Sequence, residues 1–291
     1  MRQAPADRSR NAEAILWALL AAGLFALAAA MAKRAILDFH VLQILFFRQI
    51  IVLASAVPVI SRDFQARLRT SQPGWHLLRL MGAFTALSCG IWAVAVLPLT
   101  TALTLGFAQV FFGVGLAALL LGEPVGRHRI GAVIAGFVGI LVILRPGLDG
   151  LILPGAPIPL AGALGAAVAI IAVRRLAQTE TTASLLTYQA VFVGLLAGIP
   201  LLWLWQTPDM RGLALLLAIG GTATLGQWLG IRALRLGEVS VIGPIEYTKI
   251  IYAAGFGLVF FGEIPDLFTV IGAVIISAAA LSILKREARP R

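Results

Sequence analysis

Apolar residues are gathered into long runs that short polar segments separate. Ten of these runs approach or exceed the length of about 20 mostly apolar residues that a helix needs to cross a bilayer. They lie near residues 13–32, 41–60, 75–96, 99–121, 127–144, 159–176, 183–204, 212–231, 239–261 and 267–284. The runs lack the alternation of barrel strands, and backbone groups in hydrocarbon must find partners within their own segment. The pattern therefore predicts an all-α integral membrane protein with ten transmembrane helices.

The composition excludes a soluble protein. Hydrophobic residues make up 60% of the 291 residues and charged residues 12%, whereas soluble domains contain about 25% charged residues. The net charge of +10 does not indicate a nucleic-acid surface, because the basic residues lie mostly in short connections between apolar runs. The first apolar run is too long for a signal-peptide core, so we expect it to remain as the first span.

The basic residues also indicate the orientation. With a cytoplasmic N-terminus, 16 Lys and Arg residues fall on the cytoplasmic side and 4 on the other, namely Lys33, Arg34, Arg145 and Arg211. Cytoplasmic loops carry the excess of basic residues in membrane proteins. We therefore expect both termini in the cytoplasm. The short loops and the lack of a targeting extension favour a bacterial inner membrane.

An internal repeat indicates how the helices are organised. Residues 122–134, GEPVGRHRIGAVI, and 262–275, GEIPDLFTVIGAVI, both begin with Gly-Glu and end with Ile-Gly-Ala-Val-Ile. Each copy leads into the last helix of a half, so the repeat predicts two five-helix units, 11–146 and 159–286. A unit with an odd number of spans ends on the opposite side from its start, and the second unit is then inverted. Inverted repeats are typical of secondary transporters, whose substrate site lies between the halves near the bilayer midplane.

Several motifs resemble the EamA-type branch of the drug/metabolite transporter superfamily, over essentially the whole chain. They are Phe46-Phe-Arg48, Leu97-Pro-Leu-Thr-Thr101, Leu-Leu-Gly-Glu-Pro at 120–124, Pro244-Ile-Glu-Tyr-Thr-Lys249 and Phe-Phe-Gly-Glu at 260–263. The resemblance implies a basket-like fold around a central cavity, lined largely by helices 3, 4, 8 and 9. It also implies export, uptake or exchange of amino acids, nucleotide-like metabolites, vitamins or drugs, without naming the substrate.

Two ionisable residues in the ninth span are the main candidates for substrate binding. Lys249 lies about ten residues into that span, about 15 Å from its start at 1.5 Å per residue, and Glu246 lies one turn earlier. A charge in the bilayer centre costs about 2.5–3.5 kcal/mol on insertion scales, so an embedded lysine is a functional candidate. Either the two residues only neutralise one another, or Lys249 holds a carboxylate or phosphate while Glu246 holds an amine or exchanges a proton.

Five further polar or aromatic residues are candidates for the same cavity. Gln109 precedes Lys249 by 140 residues, which is also the spacing of the two Gly-Glu pairs, so the repeat places it at the equivalent depth of the fourth span. Gln227, Trp228, Trp92 and Tyr188 can supply hydrogen bonds and stacking surface. Packing between helices is the alternative role for each of them.

Three residues are candidates for gating or for structure. Pro244, with Gly243 before it, is expected to kink the ninth span just ahead of Glu246. Arg48 lies about seven residues from the outer end of the second span, from which its long side chain could reach the interface. We expect it to pair with backbone or with a carboxylate.

These observations favour a secondary active transporter of small organic metabolites that works by alternating access. Its expected partners are the bilayer, a small-molecule substrate and either protons or a counter-substrate, and we expect a monomer or homodimer without nucleic acid. No cofactor, metal site or catalytic residue is expected, because His40, His76 and His128 are dispersed and no phosphate-binding glycine loop is present. A passive channel or facilitator, or a membrane protein that does not transport, is the alternative.

Overall fold

The computed structural model describes residues 8–60, 72–121, 127–144, 155–176, 180, 182–236 and 243–287, and all regular structure within these ranges is helical. The α-helices are α1 (Arg8–Ala35), α2 (Val41–Ile60), α3 (Pro73–Val96), α4 (Leu99–Gly106), α5 (Gln109–Leu121), α6 (Arg127–Leu144), α7 (Pro157–Leu176), α8 (Thr182–Gly198), α9 (Leu201–Leu204), α10 (Met210–Leu236), α11 (Thr248–Phe261) and α12 (Leu267–Glu287). A 3-10 turn, Gly243–Tyr247, leads directly into α11.

Most predicted spans agree with single helices to within a few residues. Four stretches within the described ranges are long and apolar enough to cross a membrane: Glu13–Ala35, Pro73–Val96, Leu99–Leu120 and Met210–Ala233. The shorter apolar helices Val41–Ser55, Ile130–Leu144, Pro157–Val173, Thr187–Gly198 and Leu267–Ala279 accompany them. The chain is thus a multi-pass membrane protein.

Three predicted spans differ from continuous helices. The fourth is interrupted at Phe107 and Ala108, between α4 and α5. The seventh is interrupted at Ile199 and Pro200, before the short α9. In the described part of the ninth, a 3-10 turn at Gly243–Tyr247 precedes the α-helix Thr248–Phe261, so Lys249 lies in the first turn of that α-helix rather than ten residues into a continuous helix.

Helices distant in sequence make the most extensive contacts: α3 packs on α7, α1 on α10, α6 on α12 and α2 on α8. The α3–α7 crossing is so close that a Cβ added at Gly82 would lie 2.7 Å from the carbonyl oxygen of Gly165. The helices α4 and α11 also contact each other, and this contact positions the main candidate site.

Contacts between connecting segments define two ends of the bundle. At one, the Lys33 end, the end of α1 meets the α3–α4 turn and the α11–α12 turn through Lys33, Leu97 and Glu263. At the start of α2, Gln43 donates from Nε2 to the Gln206 carbonyl at 2.7 Å and accepts at Oε1 from the Gln206 N–H at 3.1 Å. The opposite end, the His76 end, holds the start of α3, where His76 contacts Glu180 between α7 and α8.

Candidate functional site

Lys249 and Glu246 form an ion pair at the junction of the 3-10 turn and α11. Their side chains are 21% and 40% exposed, and the Lys249 ammonium lies 4.8 Å above the ring of Phe25 on α1. The mutual neutralisation that the sequence left open is therefore present. Because both side chains keep exposed surface, the pair can also meet the carboxylate and the amine of a ligand.

Close to this pair, an aromatic stack joins the fourth and ninth spans. The rings of Phe107 and Tyr247 lie 4.5 Å apart at an angle of 29°. Phe107 occupies the interruption between α4 and α5, and Tyr247 ends the 3-10 turn. Gln109 lies two residues after Phe107, and Lys249 lies two residues after Tyr247; both are half-buried. Sequence reasoning missed the stack, although the 140-residue spacing that relates Gln109 to Lys249 also relates Phe107 to Tyr247.

The other candidates are not gathered at the ion pair. Trp92 on α3 and Trp228 on α10 are 51% and 45% exposed, and Gln227 is half-buried. Within the described ranges, no hydrogen bond or ring contact joins these three side chains to Lys249 or Glu246. Their place in the site stays a prediction.

The three candidates for gating or structure can all be located in the fold. Gly243 and Pro244 begin the 3-10 turn, so the regular α-helix starts after the proline instead of running through it as a kinked helix. Arg48 lies on α2 beside α10, where its Cα would be 3.3 Å from a Cβ added at Gly220. Its Nε is buried without a partner among the described residues, and neither the backbone partner nor the carboxylate partner expected for Arg48 is observed there.

Tyr188 belongs to a second polar group, which the sequence did not reveal. Its ring lies 4.7 Å from that of His76, and His76 Nε2 lies 2.5 Å from Glu180 Oε2. Arg79 donates from Nη2 to Gln189 Oε1 at 3.1 Å, and Gln49 donates to the backbone oxygen of Gln189 at 3.4 Å. We call these residues the α3–α8 cluster: His76, Arg79, Glu180, Tyr188, Gln189 and Gln49.

The opposite end of the bundle carries a third polar arrangement, the Lys33–Glu263 latch. Lys33 pairs with Glu263, and its ammonium also donates to the Leu97 carbonyl at 2.8 Å. The second carboxylate oxygen of Glu263 accepts from the backbone N–H of Leu99 at 2.8 Å and so caps α4. Gly262 makes this turn possible, since its φ of +65° is in the left-handed region that favours glycine.

A mostly apolar groove of about 720 Å³ lies between α2 and α8. Its lining includes Phe46, Gln49, Gly194, Gly198 and Trp205 and none of the seven predicted substrate-binding residues. The groove is therefore distinct from the ion pair on α11.

A family model described as the EamA-like transporter family matches residues 12–145 and 153–285. The chain is 31% identical over 277 residues to the pseudopaline exporter CntI of Pseudomonas aeruginosa, covering 94% of this chain and 96% of that protein. It is 27% identical to the S-adenosylmethionine uptake transporter of Rickettsia prowazekii, covering 94% and 92%. It is also 27% identical to the riboflavin transporter of Vibrio cholerae, covering 94% and 93%.

A solved structure shares the fold. A chain described only as a crystal structure of protein superposes with a TM-score of 0.61 at 18% identity, covering 98% of this chain and 100% of that one. At this identity the likeness concerns the fold alone. The sequence relatives are named transporters of small molecules, in both the export and the uptake direction.

Proposed function

Because this chain belongs to the EamA-like transporter family, we propose that it is a secondary active transporter that moves a small organic metabolite by alternating access. The relatives named above transport small molecules across membranes, which supports this function class and a role without catalysis. The observation that carries the proposal is the half-exposed Lys249–Glu246 pair beside the interrupted helices of the fourth and ninth spans.

We infer that a zwitterionic or heteroaromatic metabolite binds at this pair. Lysine has three donors and no acceptor, and the described residues give the Lys249 ammonium one acceptor, Glu246, and one aromatic face, Phe25. Free donors therefore remain for a substrate carboxylate or phosphate. We propose that Gln109, at the equivalent position of the other half, reaches the substrate when the cavity forms around it. We propose the same for Tyr188 on α8, Trp92 on α3, and Gln227 and Trp228 on α10.

Alternating access is proposed to arise from two inverted five-helix units, 11–146 and 159–286. The packing supports this arrangement. In this division, α1 and α7 are the first helices of the two units, and α3 and α10 are the third helices. The contacts α1–α10 and α3–α7 are then equivalent, because each pairs the first helix of one unit with the third helix of the other. The contacts α1–α11 and α5–α7 are related in the same way. Two such halves can expose one central site alternately to each side of the membrane.

The proposed membrane is a bacterial inner membrane, with the His76 end in the cytoplasm. This orientation follows from the distribution of basic residues. Both termini are then cytoplasmic, and the Lys33–Glu263 latch lies on the outer side. The spacing of the repeat would place the Glu123 turn on the inner side, but that turn lies outside the described residues.

Transport by the purified full-length protein in liposomes tests the proposal. The panel contains radiolabelled S-adenosylmethionine, riboflavin and amino acids, each assayed for saturable uptake and counterflow. Lys249→Gln is expected to lower the rate of a transported compound about tenfold or more, because a hydrogen bond to a charged group contributes about 1.5–3 kcal/mol.

Arg34→Gln is the matched control. Arg34 pairs with Asp38 at 2.7 Å on the surface, with both side chains more than half exposed, so its loss is expected to leave transport unchanged. Normal kinetics in the Lys249→Gln variant would remove Lys249 from the site. Unitary currents without counterflow would identify a channel instead of a carrier.

A further inference from the structure

Arg48 lies on the side of α2 that faces the interior of the bundle. Its neighbours one turn away on the same side are buried: Ile44 and Leu45 are 0% exposed and Val52 is 7% exposed. On the opposite side of α2, Ile50 is 45% exposed. The Arg48 side chain therefore extends among the other helices and not into lipid.

The guanidinium of Arg48 has no counter-charge. Within the described residues, Arg48 takes part in no ion pair and donates no side-chain hydrogen bond. Nε is the only nitrogen of this side chain that is both buried and unpaired, so Nη1 and Nη2 keep access to open space. A charge in the hydrocarbon region is costly, and embedded arginines almost always pair with another group or face a water-filled cavity.

The bilayer surface does not account for this residue. Long side chains on a helix extend toward its N-terminus, which for α2 is the Lys33 end of the bundle. On that side, Ile44 and Leu45 belong to an apolar cluster with Phe39 and Leu216. Apolar side chains thus occupy the route by which the guanidinium could reach the interface at that end.

Arg48 and Lys249 lie at different levels of the bundle, which can be compared along α10. The Arg48 Cα would be 3.3 Å from a Cβ added at Gly220. The ring of Phe25 would be 3.5 Å from a Cβ added at Gly226, and the Lys249 ammonium lies 4.8 Å above that ring. Because Gly220 and Gly226 are six residues apart on α10, the two levels differ by about 9 Å at 1.5 Å per residue. A metabolite of this length can contact both levels.

The two levels also differ in charge. Lys249 is neutralised by Glu246, whereas Arg48 brings a positive charge without a partner. A guanidinium stays protonated in proteins, and its planar fork of donors matches the two oxygens of a carboxylate or phosphate. An anion at Arg48 would supply the missing counter-charge through two parallel hydrogen bonds, which are stronger than neutral ones.

We propose that Arg48 binds a carboxylate or phosphate group of the substrate. The proposal rests on the transport function proposed above and adds a substrate class. This class is an organic anion or zwitterion whose acidic group lies at Arg48 and whose other polar end reaches the Lys249–Glu246 pair. The role differs from the structural pairing that the sequence suggested for Arg48. Without the substrate, water that enters the site hydrates Nη1 and Nη2.

Thermal unfolding of the purified full-length protein in detergent separates an anion site from a structural arginine without a known substrate. In chloride buffer, Arg48→Met removes an unpaired charge and keeps an unbranched side chain. The unfolding temperature should therefore stay the same or rise by about 2–4 °C. A structural arginine would give the opposite result. A fall of the unfolding temperature, or failure of Arg48→Met to fold, would overturn the proposal.

Inorganic phosphate and succinate probe the site directly when each is compared with chloride at equal ionic strength. Salts that are excluded from the protein surface stabilise proteins in general, so the informative quantity is the difference between two variants. At least one of the two anions should raise the unfolding temperature of the unaltered protein by about 2 °C more than that of Arg48→Met. Equal rises in both proteins would show only the general salt effect and would contradict the proposal.

Two further variants control for charge and for geometry. Arg48→Lys keeps the charge but loses the planar fork, so it should keep part of the response to the anions. Arg34→Met is the matched surface control, because Arg34 is more than half exposed and pairs with Asp38. This variant should respond like the unaltered protein. A response that Arg34→Met loses as fully as Arg48→Met would assign the effect to surface charge and contradict the proposal.

Transport assays connect the site with the substrate class. In the liposome panel, S-adenosylmethionine and the amino acids carry a carboxylate, whereas riboflavin has no acidic group that is ionised at neutral pH. Arg48→Gln should raise the KM for a transported carboxylate compound about tenfold or more. An unchanged KM in this variant, or transport of riboflavin alone, contradicts the proposed substrate class. If the unaltered protein moves no compound of the panel, the transport function fails, while the unfolding measurements still decide whether Arg48 binds an anion.

Discussion

Two lysines in the spans differ in how far the protein satisfies their ammonium groups, which supports the binding role proposed for Lys249. Lys33 is 14% exposed, pairs with Glu263, donates to the Leu97 carbonyl and lies 5.4 Å from the ring of Phe261. Lys249 is 21% exposed and has one acceptor, Glu246, among the described residues. Since an ammonium has three donors, Lys33 is largely satisfied by the protein, whereas Lys249 retains capacity for a ligand.

The Phe107–Tyr247 stack is expected to stabilise the contact between the fourth and ninth spans. Aromatic pairs contribute about 0.5–1.5 kcal/mol beyond their buried area, so a double-mutant cycle of Phe107→Leu and Tyr247→Leu should give a coupling free energy of about 1 kcal/mol. Thermal unfolding of the purified variants in detergent measures it. Tyr247→Phe keeps the ring and serves as the control. Strictly additive effects of the two leucine substitutions would show that the rings do not interact.

At the scale of helices, the Lys33–Glu263 latch connects three elements that are far apart in sequence. One carboxylate holds the end of α1 and caps the start of α4, and it lies at the turn between α11 and α12. The sequence separation of 230 positions between Lys33 and Glu263 explains why the sequence did not reveal the pair. The turn that contains Glu263 has no Lys or Arg of its own. In the structure, Lys33 at the end of α1 pairs with Glu263.

Removing either charge of the latch is expected to destabilise the protein more than removing both. Lys33→Met or Glu263→Gln leaves a partly buried charge unpaired, at a cost of about 1–3 kcal/mol for a site less buried than a full core. The double variant should recover part of that loss, because it leaves no unpaired charge. The side-chain amide that Glu263→Gln introduces can still accept from the Leu99 N–H in both variants that carry it. Thermal unfolding in detergent measures all three.

A surface pair provides the comparison for the latch. Arg34→Met removes the exposed pair with Asp38, and exposed ion pairs contribute about 0–1 kcal/mol, so unfolding should hardly change. If Lys33→Met lowered the unfolding temperature no more than Arg34→Met does, the latch would not contribute to stability.

At the scale of the whole molecule, the sequence predicted features that depend on a single segment. Span bounds followed from the lengths of apolar runs, and the Glu246–Lys249 pair followed from a spacing of three residues on one helix. The interruption at Phe107 was not predicted, because no proline or charged residue marks it within the run 99–121. The His76–Glu180 contact was not predicted either, because its members are 104 positions apart in the sequence and only tertiary packing brings them together.

The sidedness of the bundle gives a prediction about the whole topology. Cys89 is the only cysteine in the sequence, so Cys89→Ser gives a cysteine-free background. In that background, Leu37→Cys and Ile264→Cys probe the Lys33 end, where Leu37 and Ile264 are 74% and 80% exposed. Cysteines at Gly74 and Arg175, both exposed, probe the His76 end. In intact bacterial cells, an impermeant maleimide should label the first two positions, and it should label the second two only after permeabilisation, because the basic residues favour a cytoplasmic His76 end.

The same assay decides between inverted and parallel halves. An inverted repeat requires the Glu123 turn and the Glu263 turn to lie on opposite sides, so Val125→Cys should follow Gly74→Cys and not Ile264→Cys. Labelling of Val125→Cys together with Ile264→Cys from outside would mean that the two units cross the membrane in the same sense. In that case the two units could not expose a shared site to each side of the membrane by exchanging their conformations. Alternating access would need a different structural basis.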